Sequence, residues 1–163
     1  MTLRVVFMNS NSVKKTLVNL PLLIAIFCCS YSIATAETIH EERSKYRDIT
    51  VTQVGDRRCL LFNVHRGDRN QTCMVLNDRN NLVFDYTRMS FAGLLLQPDP
   101  RSILVIGLGG GSIPMTFADL FPDAKIDVVE IDEAVVKVAE EYFYFKETEN
   151  MTAYVDDGRP FIK

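Results

Sequence analysis

The chain has 163 residues, 47% of them hydrophobic, enough for a sizeable core but for no more than one domain and part of another. Its formal net charge is −3, and no stretch is basic enough to supply the face that a nucleic-acid binder presents. The only two histidines, His40 and His65, stand apart from other ligand types, so a metal site is not expected, and no serine or cysteine nucleophile motif occurs.

Residues 1–36 read as a secretory signal. Lys14 and Lys15 form the basic start, Leu20 to Cys29 the apolar core, and Ala34-Thr35-Ala36 the small residues before a cleavage at Glu37. The apolar stretch is shorter than the ~20 residues of a membrane span, so an uncleaved anchor is the lesser alternative. An exported protein, periplasmic or secreted, is therefore expected. Cleavage would remove three cations and no acid, taking the formal charge from −3 to −6.

Residues 37–45 are polar and charged and read as a linker, followed by an N-terminal β domain over 46–85. Strand-like runs there alternate with turn clusters at Gly55-Asp56, His65–Arg69 and Asn77–Asn81, the pattern of a small antiparallel meander. A hairpin centred on Arg66 places Cys59 opposite Cys73. The oxidising compartment favours a disulfide there. Direct cross-strand pairs often have poor bonding geometry, so two buried thiols are an equal alternative.

Met89, Ala92, Leu95 and Leu96 recur at helical spacing until Pro98 and Pro100 stop the run. Ile103–Ile106 then reads as a fully buried parallel strand, with Ser112 capping a helix that tolerates Pro114 in its first turn and ends by Pro122. Lys125–Glu130 is the second parallel strand, and Asp132 caps a helix with Val135, Val138, Ala139 and Tyr142 on one face. The aromatic run from Tyr142 to Phe145 favours core packing over a stacking surface, and Thr152–Val155 forms a third strand. The fold class is α/β: a partial doubly wound, Rossmann-like parallel sheet over 86–163, preceded by a small antiparallel β meander.

Three strand tips converge on one chemistry. An apolar strand runs into Gly107-Leu-Gly109-Gly110-Gly-Ser112, a second ends in Glu130, and a third ends in Asp156-Asp157-Gly158. Glycines let a backbone approach a ligand, and a carboxylate 21 positions after Gly109 can accept from both hydroxyls of a ribose. Asp156 and Asp157 add acceptors where an adenine amino group would lie. Each feature alone is an ordinary turn or strand end; a null explanation needs three coincidences of spacing. Ser112 replaces the third glycine of the dinucleotide fingerprint, which weakens a nicotinamide reading.

Over about residues 44–163 the chain resembles the spermidine synthase (polyamine aminopropyltransferase) family, which shares its fold with S-adenosylmethionine-dependent methyltransferases. The likeness covers Ser44-Lys-Tyr-Arg47, Gln71-Thr72, Tyr86 with Met89, Pro98-Asp-Pro100, the glycine loop, Glu130-Ile-Asp132 and Asp157-Gly158. It implies a cofactor site of Gln71, Gly107, Gly109, Gly110, Glu130, Ile131, Asp156 and Asp157. Glu130 would hold the ribose, Asp157 the adenine and Ile131 the adenine face. Tyr86 would contact substrate. The implied cofactor is S-adenosylmethionine or decarboxylated S-adenosylmethionine.

The chain also departs from that pattern. Gly110 stands where the family has an aspartate facing the cofactor's amine end, Arg47 replaces a glutamine, and Arg88 falls in a stretch that is acidic in the family. A guanidinium is permanently charged and repels a cationic amine, so an ordinary putrescine pocket is disfavoured. The family's catalytic aspartate lies beyond the third strand and has no counterpart, so catalytic residues stay unassigned. A truncated reading of a longer enzyme is expected over a degenerate gene product. The expected function is a transferase using an adenosyl sulfonium. Aminopropyl transfer to an amine is the family default and methyl transfer the close competitor. The alternative is a non-catalytic exported nucleoside-binding remnant. The expected partner is a small-molecule substrate, with no nucleic acid and no membrane after signal cleavage, and a homodimer is left open.

Overall fold

The computed structural model describes residues 35–64 and 67–162, with no account of the side chains of 63–69. The expected signal sequence lies outside the described residues but for its last two positions, as does the hairpin tip at His65-Arg66. The described chain forms one compact unit from Thr35 onward.

Four strands make an antiparallel sheet in chain order: β1 (Glu37–Arg43), β2 (Asp48–Val54), β3 (Arg57–Val64) and β4 (Gly67–Val75). The meander therefore begins earlier than the sequence suggests. Residues 37–43, expected to be linker, are the edge strand β1, paired with β2 from Glu37↔Gln53 to Arg43↔Asp48. An edge strand needs only one inward contact, which Ile39 supplies against the core. Its charged residues mostly face water, where they also discourage pairing with another sheet.

In the β3–β4 hairpin Cys59 pairs with Cys73 in the expected register, and the two are joined by a disulfide. Beyond Leu60↔Thr72 the pairing shifts to Leu61↔Asn70, which leaves Gln71 as the extra residue of a β-bulge.

The next segment differs from the expected single helix. It is a short helix α1 (Asp85–Ser90) running into a 3-10 turn over Phe91–Leu95. The spacing of Met89, Leu95 and Leu96 does not mark a buried face, since all three are exposed. The contact is made instead by Phe91, whose ring lies 4.5 Å from that of Phe117. Gly93 and the following prolines favour the tighter, shorter turn.

A parallel sheet follows, ordered β5 (Ser102–Ile106), β6 (Lys125–Glu130), β7 (Met151–Val155), with helices α2 (Ser112–Leu120), α3 (Glu133–Tyr142) and α4 (Gly158–Phe161). β5 is not fully buried, contrary to its apolar sequence. Ile103 and Val105 pack into the core, while Leu104 and Ile106 are exposed on the other face. β5 is an edge strand here, and the apolar cluster lies on the face that meets α2 and α3. Ser112 does not cap α2. Gly111 takes that position in the left-handed conformation (φ 78°), and Ser112 is already the first helical residue. Asp132 does cap α3, accepting from the Ala134 amide at 3.2 Å.

The two sheets share a core. Ile49, Val51, Leu60, Phe62 and Met74 of the meander pack with Ala134, Val135, Val138 and Phe143 of the α3 region. Phe143 and Phe145 are fully buried, whereas the intervening Tyr144 is exposed at φ 61°, so the aromatic run is mainly core.

The disulfide closes a loop of sequence separation 14, so its removal should cost about 2–4 kcal/mol of stability. A Cys59→Ala/Cys73→Ala double variant should unfold several degrees lower than the parent in a thermal melt. An unchanged midpoint would show that the hairpin is held without the bond.

Candidate functional site

The glycine loop joins β5 to α2 in a form that side chains would obstruct. Gly107, Gly109 and Gly111 have φ of 89°, 57° and 78°. At Gly109 a Cβ would also come within 2.9 Å of Thr72 Oγ1. The loop is held from both sides. The Gly107 amide donates to the Val129 carbonyl at 2.7 Å, and the Gly110 amide donates to Thr72 Oγ1 at 3.1 Å.

Gly110 is not on the cavity wall where the sequence placed it. A Cβ there would lie 2.6 Å from Thr72 Cγ2 and 3.0 Å from the Phe143 ring. The residue is packed between the hairpin and the core, so an aspartate at this position could not simply restore the family's carboxylate.

Glu130 ends β6 and is buried. Its Oε2 accepts from the Leu108 amide at 2.9 Å and its Oε1 from the Asp132 amide at 3.1 Å. Each oxygen keeps a further lone pair, since an ionised carboxylate offers about four acceptor sites. The carboxylate is thus fixed in orientation and still able to accept.

Around this point lies a cavity of about 530 Å³. It is lined by Gln71, Gly107, Gly109, Glu130, Ile131, Asp156, Asp157 and Tyr86, which brings together every residue the sequence assigns to cofactor or substrate binding except Gly110. Tyr86 donates its hydroxyl to the Gln71 carbonyl and stacks on Phe84 at 5.7 Å, and burial raises its pKa above the usual phenol value.

Asp156 and Asp157 differ in what they can still accept. Asp157 takes both the Arg159 amide, at 3.0 Å, and the Arg159 guanidinium, which holds its carboxyl down to about 2. Its acceptor sites are largely filled within the turn that starts α4. Asp156 receives only the Asp157 amide on Oδ1 and is exposed.

The cavity also contains residues not assigned to it from the sequence, notably Arg47, Phe62, Thr72, Thr87 and Arg159. The Ser44-Lys-Tyr-Arg47 motif has a structural role as much as a chemical one. Ser44 Oγ accepts from the Tyr46 and Arg47 amides at 3.0 Å each and lies 2.5 Å from Asp132 Oδ2, which ties the meander to the α3 cap. Phe62 carries no sequence signal beyond strand alternation, and Thr72 only its place beside Gln71 in the family likeness; the cross-strand register is what turns them inward. Arg88 is excluded from the cavity. It is exposed and paired with Asp85 at 3.3 Å, so it does not oppose a ligand as expected.

No protein-family model matches the chain. A polyamine aminopropyltransferase of Vibrio vulnificus is 44% identical over 146 residues, covering 87% of this chain and 49% of that protein. An eEF1A lysine and N-terminal methyltransferase of Mus musculus is 37% identical over 92 residues, 52% of this chain and 13% of that one. The crystal structure of a probable spermidine synthase from Corynebacterium glutamicum superposes with a TM-score of 0.63 at 21% identity, over 75% of this chain and 46% of that one. The chain spans about half the length of the polyamine aminopropyltransferase it matches. In sequence and in fold the chain is spermidine-synthase-like, with the Rossmann-like strand, glycine loop and helix of that family.

Proposed function

We propose that the cavity holds an adenosyl sulfonium cofactor and that the protein is a spermidine-synthase-like transferase. Aminopropyl transfer to an amine is the family default, and methyl transfer from S-adenosylmethionine is the close competitor. The carrying observation is Glu130, a buried carboxylate fixed by two backbone amides with acceptor capacity left on both oxygens. That is the chemistry a ribose diol requires. Gly107 and Gly109 leave the adjoining wall free of side chains, and Ile131 offers an apolar surface to a base. When bound, the sulfonium supplies an already activated carbon, so the protein's task is to position its partner and exclude competing geometry.

In this reading Asp156 rather than Asp157 is the better acceptor for an adenine amino group, because Arg159 occupies Asp157. The identity to both a polyamine aminopropyltransferase and an eEF1A methyltransferase supports the transferase class without separating the two reactions.

A second reading, a non-catalytic exported nucleoside-binding protein, is favoured by the signal-like leader together with the Cys59–Cys73 disulfide. Among the described residues the only carboxylates lining the cavity are Glu130, Asp156 and Asp157, all at strand tips assigned to the nucleoside.

Two measurements test these proposals. Glu130→Ala should lose about 2–4 kcal/mol of affinity for 5′-methylthioadenosine in calorimetry, the worth of two charge-assisted hydrogen bonds. Undiminished binding by a folded variant would remove Glu130 from the site. For export, mass spectrometry of protein expressed in a bacterial host should show a mature chain starting at Glu37, which leaves β1 whole. An intact leader in the soluble cytoplasmic fraction would refute it.

A further inference from the structure

We infer that the cavity selects a cofactor bearing a carboxylate, and that Arg47 is the residue that reads it; this rests on the adenosyl reading above. Arg47 lines the cavity and enters it from a fixed backbone. Its amide donates to Ser44 Oγ at 3.0 Å, and its carbonyl accepts from the Ser44 amide at 2.9 Å. The guanidinium lies over the Phe62 ring, 4.3 Å from its centroid, and the side chain is 31% exposed. It is therefore not a freely solvated cation.

Its one ion pair among the described residues is long and engages Nε alone. The nearest acid is Asp132, whose Oδ2 stands 3.8 Å from Arg47 Nε, beyond hydrogen-bond reach. Asp132 is shared with two other donors: Oδ2 accepts from the Ser44 hydroxyl at 2.5 Å, and Oδ1 from the Ala134 amide at 3.2 Å. The guanidinium donates no hydrogen bond to another described residue. A part-buried guanidinium that lines a cavity, with Nη donors making no hydrogen bond to a described residue, is matched by a planar anion, which such a fork can grip through two parallel bonds.

Three carboxylates among the described residues line the rest of the cavity, and the adenosyl reading assigns the freest of them, Asp156, to the adenine. Glu130 is held by two amides and Asp157 by Arg159. Gly110 has no room for an acid, since its Cβ would strike Thr72 and Phe143. A cofactor tail ending in an ammonium alone would meet a cation at Arg47 and no dedicated carboxylate among the described residues. A tail carrying both ammonium and carboxylate would satisfy the guanidinium. S-Adenosylmethionine and its decarboxylated form differ by that one carboxylate.

The test is calorimetry on the whole protein with three non-reacting probes: 5′-methylthioadenosine, S-adenosylhomocysteine and decarboxylated S-adenosylhomocysteine. The parent should bind S-adenosylhomocysteine about tenfold or more tighter than the decarboxylated probe, a preference of the size one charge-assisted contact gives. Arg47→Gln should bring the two within about threefold and leave 5′-methylthioadenosine within about twofold, because the lost contact is to the tail. Arg47→Lys should keep part of the preference, and Arg88→Gln, outside the cavity, all of it. A preference for the decarboxylated probe in the parent, or an unchanged ratio in a folded Arg47→Gln, would overturn the inference while the adenosyl reading stands. Failure of the parent to bind 5′-methylthioadenosine would overturn the adenosyl reading and the inference with it.

Discussion

The site depends on where the Glu130 carboxylate is anchored. A buried carboxylate left unpaired would cost several kcal/mol, so it must find donors in the fold itself. It finds them in the Leu108 amide of the glycine loop and the Asp132 amide that opens the turn to α3. Each such bond is worth about 1.5–3 kcal/mol, more than an ordinary neutral one. The same carboxylate thus closes the gap between the tips of β5 and β6 and fixes the curvature of the loop. The loop can accept that curvature because Gly107, Gly109 and Gly111 occupy the left-handed region. The left-handed form costs other residues about 1–2 kcal/mol each.

The meander is part of this arrangement rather than an appendage to it. Thr72 accepts from the Gly110 amide, and the bulge at Gln71 brings the hairpin backbone to the Tyr86 hydroxyl. The disulfide lies one residue from Thr72 and pins the register on that side of the bulge. A slip of one residue would turn Thr72 away from the loop, because strand side chains alternate between faces. Ser44 and Asp132 make the corresponding tie at the other end of the sheet. The shared apolar cluster between β2, β3, β4 and α3 then makes the two sheets one folded body.

Features that depend on local backbone chemistry were legible in the sequence. The glycine loop, the carboxylate at the end of β6, the Asp132 cap and the Cys59↔Cys73 register all follow from spacing and turn residues. Features that depend on what lies across from a residue were not. Ser112 has the right type for a cap, but the chain reaches it already helical because Gly111 has made the left-handed turn. The charges of β1 concealed a strand because an edge needs little apolar surface. Leu95 and Leu96 have the right spacing for a buried face, yet the helix ends before they can use it. Gly110 matched a ligand-facing position by resemblance to a family, and only packing shows that Thr72 and Phe143 fill the space beyond it.

Arg47 and Arg88 show why position outweighs residue type in reading charge from sequence. Arg47 stands where the family has a glutamine and Arg88 in a stretch that is acidic in the family, so by sequence Arg88 is the sharper conflict. Its side chain is 59% exposed and already faces Asp85, so solvent and counterions screen it within about 8–10 Å. Arg47 is about half as exposed, stacked on Phe62, and its ion pair to Asp132 is long at 3.8 Å. Burial lowers the effective dielectric around it, so the same unit charge acts on a neighbouring ligand with several times the energy it would have in bulk water. The electrostatic preference of the cavity therefore belongs to the arginine with fewer water neighbours.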